Sequence, residues 1–230
     1  MKKAIRISHY LTIIMGVILI VTNSCKKATN SDTITDIDGN VYTSITIGTQ
    51  TWMLENLRTT RLNDGTVVPL VTDAAAWGSM SAPAYCWYNY NETGYKNTYG
   101  ALYNWLTVNT DNLCPQGWHI PTDAEWDIMV NFLGGEGVAG GKMRGSGMMS
   151  HWGGGNMMGV NNETGFAALP GGFCDSNGMF NGLASNGYWW SATENDEANA
   201  WYRFMSSNNT AVNRGYGLKL QGCSVRCIKN

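Results

Sequence analysis

Charge is scarce in this sequence. Asp, Glu, Lys and Arg make up 14% of 230 residues, 15 basic against 17 acidic. No basic stripe is available to track a phosphate backbone, which argues against nucleic acid as a partner. Histidine is scarcer still, with three residues. There is no H-E-x-x-H, no C-x-x-C and no His pair, which argues against a catalytic zinc site. Ser146 stands in Arg-Gly-Ser-Gly, without the leading glycine of a G-x-S-x-G nucleophile elbow. No two carboxylates are placed for glycosidic chemistry. Gly135, Gly137 and Gly140 match G-x-G-x-x-G, but they follow a helix rather than a strand and no helical pattern comes after them. Glycine richness alone accounts for that match.

The apolar run at residues 11–21 (LTIIMGVILIV) is eleven residues long, short of the about 20 that a membrane span needs. With Lys2, Lys3 and Arg6 before it, it suits the h-region of a secretory signal. Ser24-Cys25 follows where cleavage is expected, and the pattern resembles the lipobox of bacterial lipoproteins, with Thr22 where leucine is usual. Residues 1–24 are read as a signal peptide, Cys25 as a lipidated cysteine and 25–35 as a flexible polar tether. Acyl chains contribute about 0.8 kcal/mol per buried methylene, enough to anchor a chain without a spanning helix. The expected location is the cell envelope, lipid-anchored at the outer membrane, with the periplasmic or surface face left open. Removal of 1–24 leaves 12 basic and 17 acidic residues, a net charge of −5.

Gly (28), Trp (10) and Tyr (11) are abundant. Low charge with many aromatics suits carbohydrate contact, although large aromatics mostly fill cores. Five cysteines remain besides Cys25, and in an exported protein they are read first as disulfide partners. Cys223 and Cys227 would face the same way on a strand and could not easily bond each other. The expected pairs are Cys114–Cys227 and Cys174–Cys223, which leaves Cys86 unpaired.

Along the chain, residues 36–40 (D-I-D-G-N) read as a turn; a calcium loop would need a bidentate glutamate where Ile47 stands. Val41, Thr43, Ile45 and Ile47 alternate, and with Gly48-Thr49 and the return to Met53 they predict a hairpin. Residues 57–99 read as irregular, with turns at 63–65 and 91–94, and 100–108 as a short helix. Thr122 and Glu125 form a T-x-x-E capping box. Trp126, Met129, Val130 and Leu133 then line one face, predicting a helix over 123–133 that Gly134-Gly135 ends. His119, just before it, is expected to make a structural hydrogen bond. Residues 134–159 read as loop. Strands are expected at 166–173, 188–193, 200–205 and 218–228, with turns at 175–178 and 186–187. On the second of these strands Trp189 and Trp190 should divide, one buried and one partly available.

The segments D-I-D-G-N-V-Y, I-G-T-Q-T-W-M-x-E-N-L, Y-G-A-L-Y-N-W, C-P-x-G-W-H-I-P-T-D-A-E-W, L-P-G-G, G-Y-W-W-S-A-T-E and S-V-R-C-I-K run in order from Asp36 to the C-terminus. Together they resemble the Fibrobacter succinogenes major paralogous domain family. That family looks related to the C-type lectin-like fold and, through P-T-D-A-E-W and S-V-R-C, to formylglycine-generating enzymes. The resemblance implies one α+β domain over 36–230. In it, two short helices pack on a twisted antiparallel sheet with long loops, and the termini lie close together. It also supports pairing Cys114 with Cys227. The enzyme branch carries reactive cysteines between its last W-S motif and the terminal R-C, and residues 191–222 hold none. The E-P-N and W-N-D sugar signatures of calcium lectins are absent as well.

The expected function is therefore a non-catalytic envelope module that binds a glycan or a protein. Its ligand face would be drawn from Trp190, Glu194, Asn195, Asp196, Trp201, Arg203, Asn208, Asn213, Arg214 and Tyr216. Aromatic rings stack on sugars, while Asn and Arg hydrogen-bond hydroxyl and peptide groups. No cofactor is expected; the oxygens of 194–197 are the place where calcium would sit. The alternatives are a structural component of a surface assembly and a retroelement-diversified variable binding protein.

Overall fold

A computed structural model describes residues 33–146, 151–153 and 159–230. The expected signal, Cys25 and most of the tether lie outside these residues. Ile34–Thr35 (β1) pairs with Val41–Tyr42 (β2) around the expected turn. The Asp36 carbonyl accepts the Gly39 amide at 3.0 Å, and its carboxylate accepts the Asp38 and Asn40 amides and the Tyr42 hydroxyl. Ile34 is buried, so the folded unit reaches into the span read as tether. The predicted hairpin is Ser44–Ile47 (β3) with Gln50–Met53 (β4), turned at Gly48 with φ 62°.

The middle of the chain holds Ala74–Gly78 (α1), Tyr85–Cys86 (β5), Glu92–Tyr99 (α2), Leu102–Asn104 (β6), Trp105–Val108 (α3), Trp118–His119 (β7), Asp123–Phe132 (α4) and Glu136–Met143 (α5). The C-terminal part holds Gly171–Cys174 (β8), Phe180–Leu183 (β9), Asn186–Glu194 (β10), Asn199–Ser206 (β11), Val212–Leu218 (β12), Gly222–Cys223 (β13) and Ile228–Lys229 (β14). The fold is α+β. Its eight-stranded sheet runs β12-β11-β10-β8-β13-β6-β5, with β9 on β8, and a four-stranded sheet runs β3-β4-β14-β7. Because β14 lies between β4 and β7, the end of the chain is fastened to its first hairpin.

Several elements differ from the sequence reading. The described residues hold five short α-helices, and a 3-10 turn at Tyr88–Tyr90, rather than two helices. The span 57–99 contains α1, β5 and α2; Asn91 starts no loop turn but caps α2, its side chain accepting the Gly94 amide. The segment 100–108 divides into β6 and the one-turn α3, because Leu102 and Tyr103 are claimed by strand pairing to β5. Residues 136–143 form α5, not loop, and Gly137 and Gly140 lie inside it. Glycine is required there by packing: a Cβ on Gly140 would collide with the Ala211 carbonyl, and one on Gly141 with the Gly159 carbonyl. Asn186-Gly187 opens β10 rather than forming a turn, and Val212–Leu218 is a strand where none was expected. The span 218–228 divides into β13 and β14, which belong to different sheets.

Strand alternation holds along β10, yet Trp189 and Trp190 are both 0% exposed. Trp189 enters the core with Trp52, Trp126 and Phe166, and Trp190 enters that with Tyr103, Trp105 and Val225. Both faces of the strand are covered, so neither ring is available. At the centre, Asn56 joins four segments. Its Oδ1 accepts Trp189 Nε1 at 2.8 Å and Arg226 Nη2 at 3.0 Å, and its Nδ2 donates to the Tyr99 carbonyl and Ser224 Oγ. Arg226 is fully buried against the Phe166 ring, and burial pushes its pKa down to about 9.

Cys114 and Cys227 form a disulfide across 113 residues, with Cα atoms 6.1 Å apart. The expected Cys174–Cys223 bond is not formed. Cys174 pairs in register with Gly222, so the next residue, Cys223, points to the opposite face. Cys174 lies with Cys86 and Trp77, while Cys223 lies with Trp190 and Val225. Among the described residues the three remaining thiols are buried, and burial raises the pKa values of Cys86 and Cys223 well above the usual thiol range.

Candidate functional site

The ten residues expected on one ligand face are dispersed by the register of β10, β11 and β12. Trp190 is buried in the core, and Arg203 is 0% exposed; neither can meet a ligand. Arg203 lies under the helices because β11 turns its odd-numbered side chains toward α4 and α5. Its Nη2 donates to Asp123 Oδ1 and to Asp127 Oδ1, each at 2.7 Å, and its Nη1 lies 3.5 Å from Glu136 Oε1. Asn208 sits in the turn at the far end of the β11–β12 hairpin from the 195–198 loop. Asn213 aligns with Phe204 and so lies on the sheet face opposite Arg214.

The 194–197 loop spends its oxygens on itself. Asp196 Oδ1 accepts the amides of Ala198 and Asn199, and Oδ2 accepts Asn195 Nδ2. The Asn199 side-chain hydrogen bond, followed by the Ala198 amide, holds the Asp196 carboxyl below its usual pKa. Glu194 pairs with Lys219 Nζ at 2.7 Å, and the same ammonium donates to the Glu197 carbonyl. Among the described residues no group of three or more His, Cys, Asp or Glu converges as a metal site.

Trp201, Arg214 and Tyr216 do come together. Register places Trp201 opposite Tyr216 and Arg203 opposite Arg214 on the helix-facing side of the hairpin. The Arg214 guanidinium lies 3.3 Å from the Trp201 ring centroid, and Tyr216 meets that ring edge-on at 5.7 Å. Asp123, the first residue of α4, orients the cluster: Oδ1 holds Arg203 and Oδ2 accepts Arg214 Nε at 2.8 Å. A carboxylate at a helix N-terminus is also favoured by the helix dipole. Tyr216 is 58% exposed. The result is an aromatic patch at the outermost strand of the larger sheet, with one partly exposed guanidinium, Arg214, paired to Asp123. Beside it, the T-x-x-E box of α4 forms as expected, with Thr122 capping Glu125 and Glu125 reaching back to Thr122. His119 Nε2 lies 2.9 Å from Glu125 Oε1 and its Nδ1 2.7 Å from Asn230 Oδ1, which is the structural role expected of it.

A concavity lies where the span read as irregular meets the 178–180 segment. A cleft of about 420 Å³ is lined by Ala74, Tyr88, Asn89, Tyr90, Gly178, Met179 and Phe180. The Phe180 ring is in contact with Tyr88 at 4.9 Å and Tyr90 at 4.7 Å. Asn89 and Tyr90 are consecutive non-glycine residues with φ of 52° and 54°, a backbone state costing about 1–3 kcal/mol per residue that persists where surroundings enforce it. Here the Tyr90 hydroxyl donates to the Gly178 carbonyl at 3.0 Å, and a Cβ on Gly178 would strike Ala74. The only sequence signal for this cleft is the Tyr-Asn-Tyr triplet, whose partner, Phe180, lies 90 residues away.

The model of the Fibrobacter succinogenes major domain family matches residues 45–229. No curated protein matches the chain, and no solved structure does.

Proposed function

From the premise that the chain belongs to the Fibrobacter succinogenes major domain family, whose description names no activity, we propose that it is a non-catalytic binding module displayed at the cell envelope. Lipid on Cys25 is its anchor, and a glycan or surface protein is its ligand. The observation that carries this reading is the Trp201–Arg214–Tyr216 patch, in which Arg214 and Tyr216 are exposed over a half-buried Trp201, fixed to the scaffold by Asp123. Rings and a guanidinium held in place before binding lose little conformational entropy on contact. The lack of a cysteine between residues 191 and 222 supports the non-catalytic reading. A C-type lectin-like architecture is part of the same proposal, on the motifs that run from Asp36 to the C-terminus. The module needs no calcium for binding on this reading, since the 194–197 oxygens are engaged in their own turn.

The test is capture of glycans and envelope proteins by the full chain, with and without calcium, beside the Trp201→Ala and Tyr216→Ala variants. Binding lost in both variants supports the patch; no binding by the parent chain under either condition rejects the proposal. For the anchor, Cys25→Ala should move the protein from the membrane to the soluble fraction, and mass spectrometry of the mature N-terminal peptide should show acylated Cys25. A second reading, assembly with another surface protein, draws on β12 being an edge strand of its sheet. An unpaired edge can accept an added strand, and crosslinking in cells would then yield one stoichiometric partner.

A further inference from the structure

We propose that the cleft between Tyr88, Asn89, Tyr90 and Phe180 is a binding site for a neutral saccharide, separate from the Trp201–Arg214–Tyr216 patch. Its size falls within the range of small-ligand sites, about 300–1,000 Å³. The lining residues are three aromatic rings, a methionine, an amide, a glycine and an alanine, with no formal charge among them. Nothing in this lining would pair with the charge of an anionic ligand. A quaternary ammonium fits less well than a sugar. Cation cages hold rings apart around a central charge, whereas Phe180 here packs directly on both tyrosines, tilted 51° to Tyr88 and edge-on at 79° to Tyr90, and leaves no gap between them.

A half-exposed ring of this crossed cluster can still meet the apolar face of a pyranose, and polar groups at its margin can meet hydroxyls. Asn89 supplies one. It is exposed, its side chain makes no hydrogen bond among the described residues, and its left-handed backbone sets the direction in which the amide leaves the chain. The Tyr90 hydroxyl is engaged with the Gly178 carbonyl and the Cys174 thiol, which leaves Asn89 as the open polar group of the margin. Met179, 60% exposed at the same rim, adds a polarisable apolar contact. The strained Asn89–Tyr90 pair and the tie from Tyr90 to Gly178 hold these groups in place without a ligand, so binding needs no loop rearrangement.

The experiment is affinity electrophoresis and titration calorimetry of the full chain with cellohexaose, xylohexaose and mannohexaose, with choline and tyrosinamide as competing probes. Retention by at least one hexasaccharide is expected. Phe180→Ala and Asn89→Gly should each weaken it at least tenfold while thermal unfolding of Asn89→Gly stays at the parent value. Glycine suits the φ of 52° at that position, so Asn89→Gly removes the amide and keeps the backbone. Retention by none of the three sugars overturns the proposal. So does retention indifferent to Phe180→Ala and Asn89→Gly, or tighter binding of choline or tyrosinamide at this cleft. Sugar binding lost only in Tyr216→Ala would keep the patch as the ligand face and reject the cleft.

Discussion

Asn56 carries more of the structure than any property of asparagine in a sequence suggests. One side-chain oxygen accepts from the Trp189 indole and the Arg226 guanidinium, and the amide nitrogen closes onto Tyr99 and Ser224. Asn56→Ala would leave a buried cation and an indole N–H without this acceptor, and an unmet buried donor costs about 1–3 kcal/mol, more when charged. Urea unfolding of Asn56→Ala should therefore show a loss of about 3 kcal/mol or more, while Asn208→Ala, in an exposed turn, should change stability by less than about 0.5 kcal/mol. Arg203 follows the same logic. Its type and position suggested ligand contact, but the register of β11 places it under α4 against Asp123 and Asp127. Residue type gave the chemistry of these groups; their partners lie 80 or more residues away in the chain for Asp123 and beyond 100 for the Asn56–Arg226 pair.

At the scale of elements, α4 was legible because its determinants are local. Thr122, Glu125 and the apolar spacing lie within one stretch, and the capping box forms. Burial opposes ionisation of Glu125, but the Thr122 amide, His119 and the Thr122 hydroxyl outweigh it and hold its pKa below the usual carboxylate value. A depressed folded pKa means that Glu125 contributes stability above its unfolded pKa, and that this contribution is lost as pH falls through the folded one. Glu125→Gln keeps a capping-box acceptor but does not titrate, so its melting temperature should fall less than the parent's between neutral and acid pH. Thr122→Ala should cost about 1 kcal/mol at neutral pH. Helix α5 was illegible for the opposite reason: its glycines depress helix propensity, and what requires them is the approach of the 210–211 segment and Gly159. Gly140→Ala, which would stabilise an isolated helix, should destabilise this protein by about 1–3 kcal/mol through overpacking, as read by thermal unfolding.

For the molecule as a whole, the Cys114–Cys227 disulfide closes a loop of 113 residues and joins the segment before β7 to the one entering β14. Removing a native disulfide from a small domain typically costs about 2–5 kcal/mol, so Cys114→Ser with Cys227→Ser should lower the denaturant midpoint accordingly. Cys86, Cys174 and Cys223 are buried thiols. Native protein should show none of the three to a thiol reagent within minutes, and all three after denaturation; a missing pair after denaturation would mean that two of them bond each other. The sequence by itself determined the turn at 36–40, the first hairpin, the α4 cap, the strands around β10 and β11 and the family motifs, because short-range spacing encodes each of them. Tertiary structure alone decided that both Trp189 and Trp190 are buried, that Cys174 and Cys223 face apart, and that Trp201, Arg214 and Tyr216 meet while the other expected ligand residues do not. It also decided that Tyr88 and Tyr90 close a cleft with Phe180. These outcomes depend on which strand lies beside which, and strand order and register are set by packing between segments far apart in the chain.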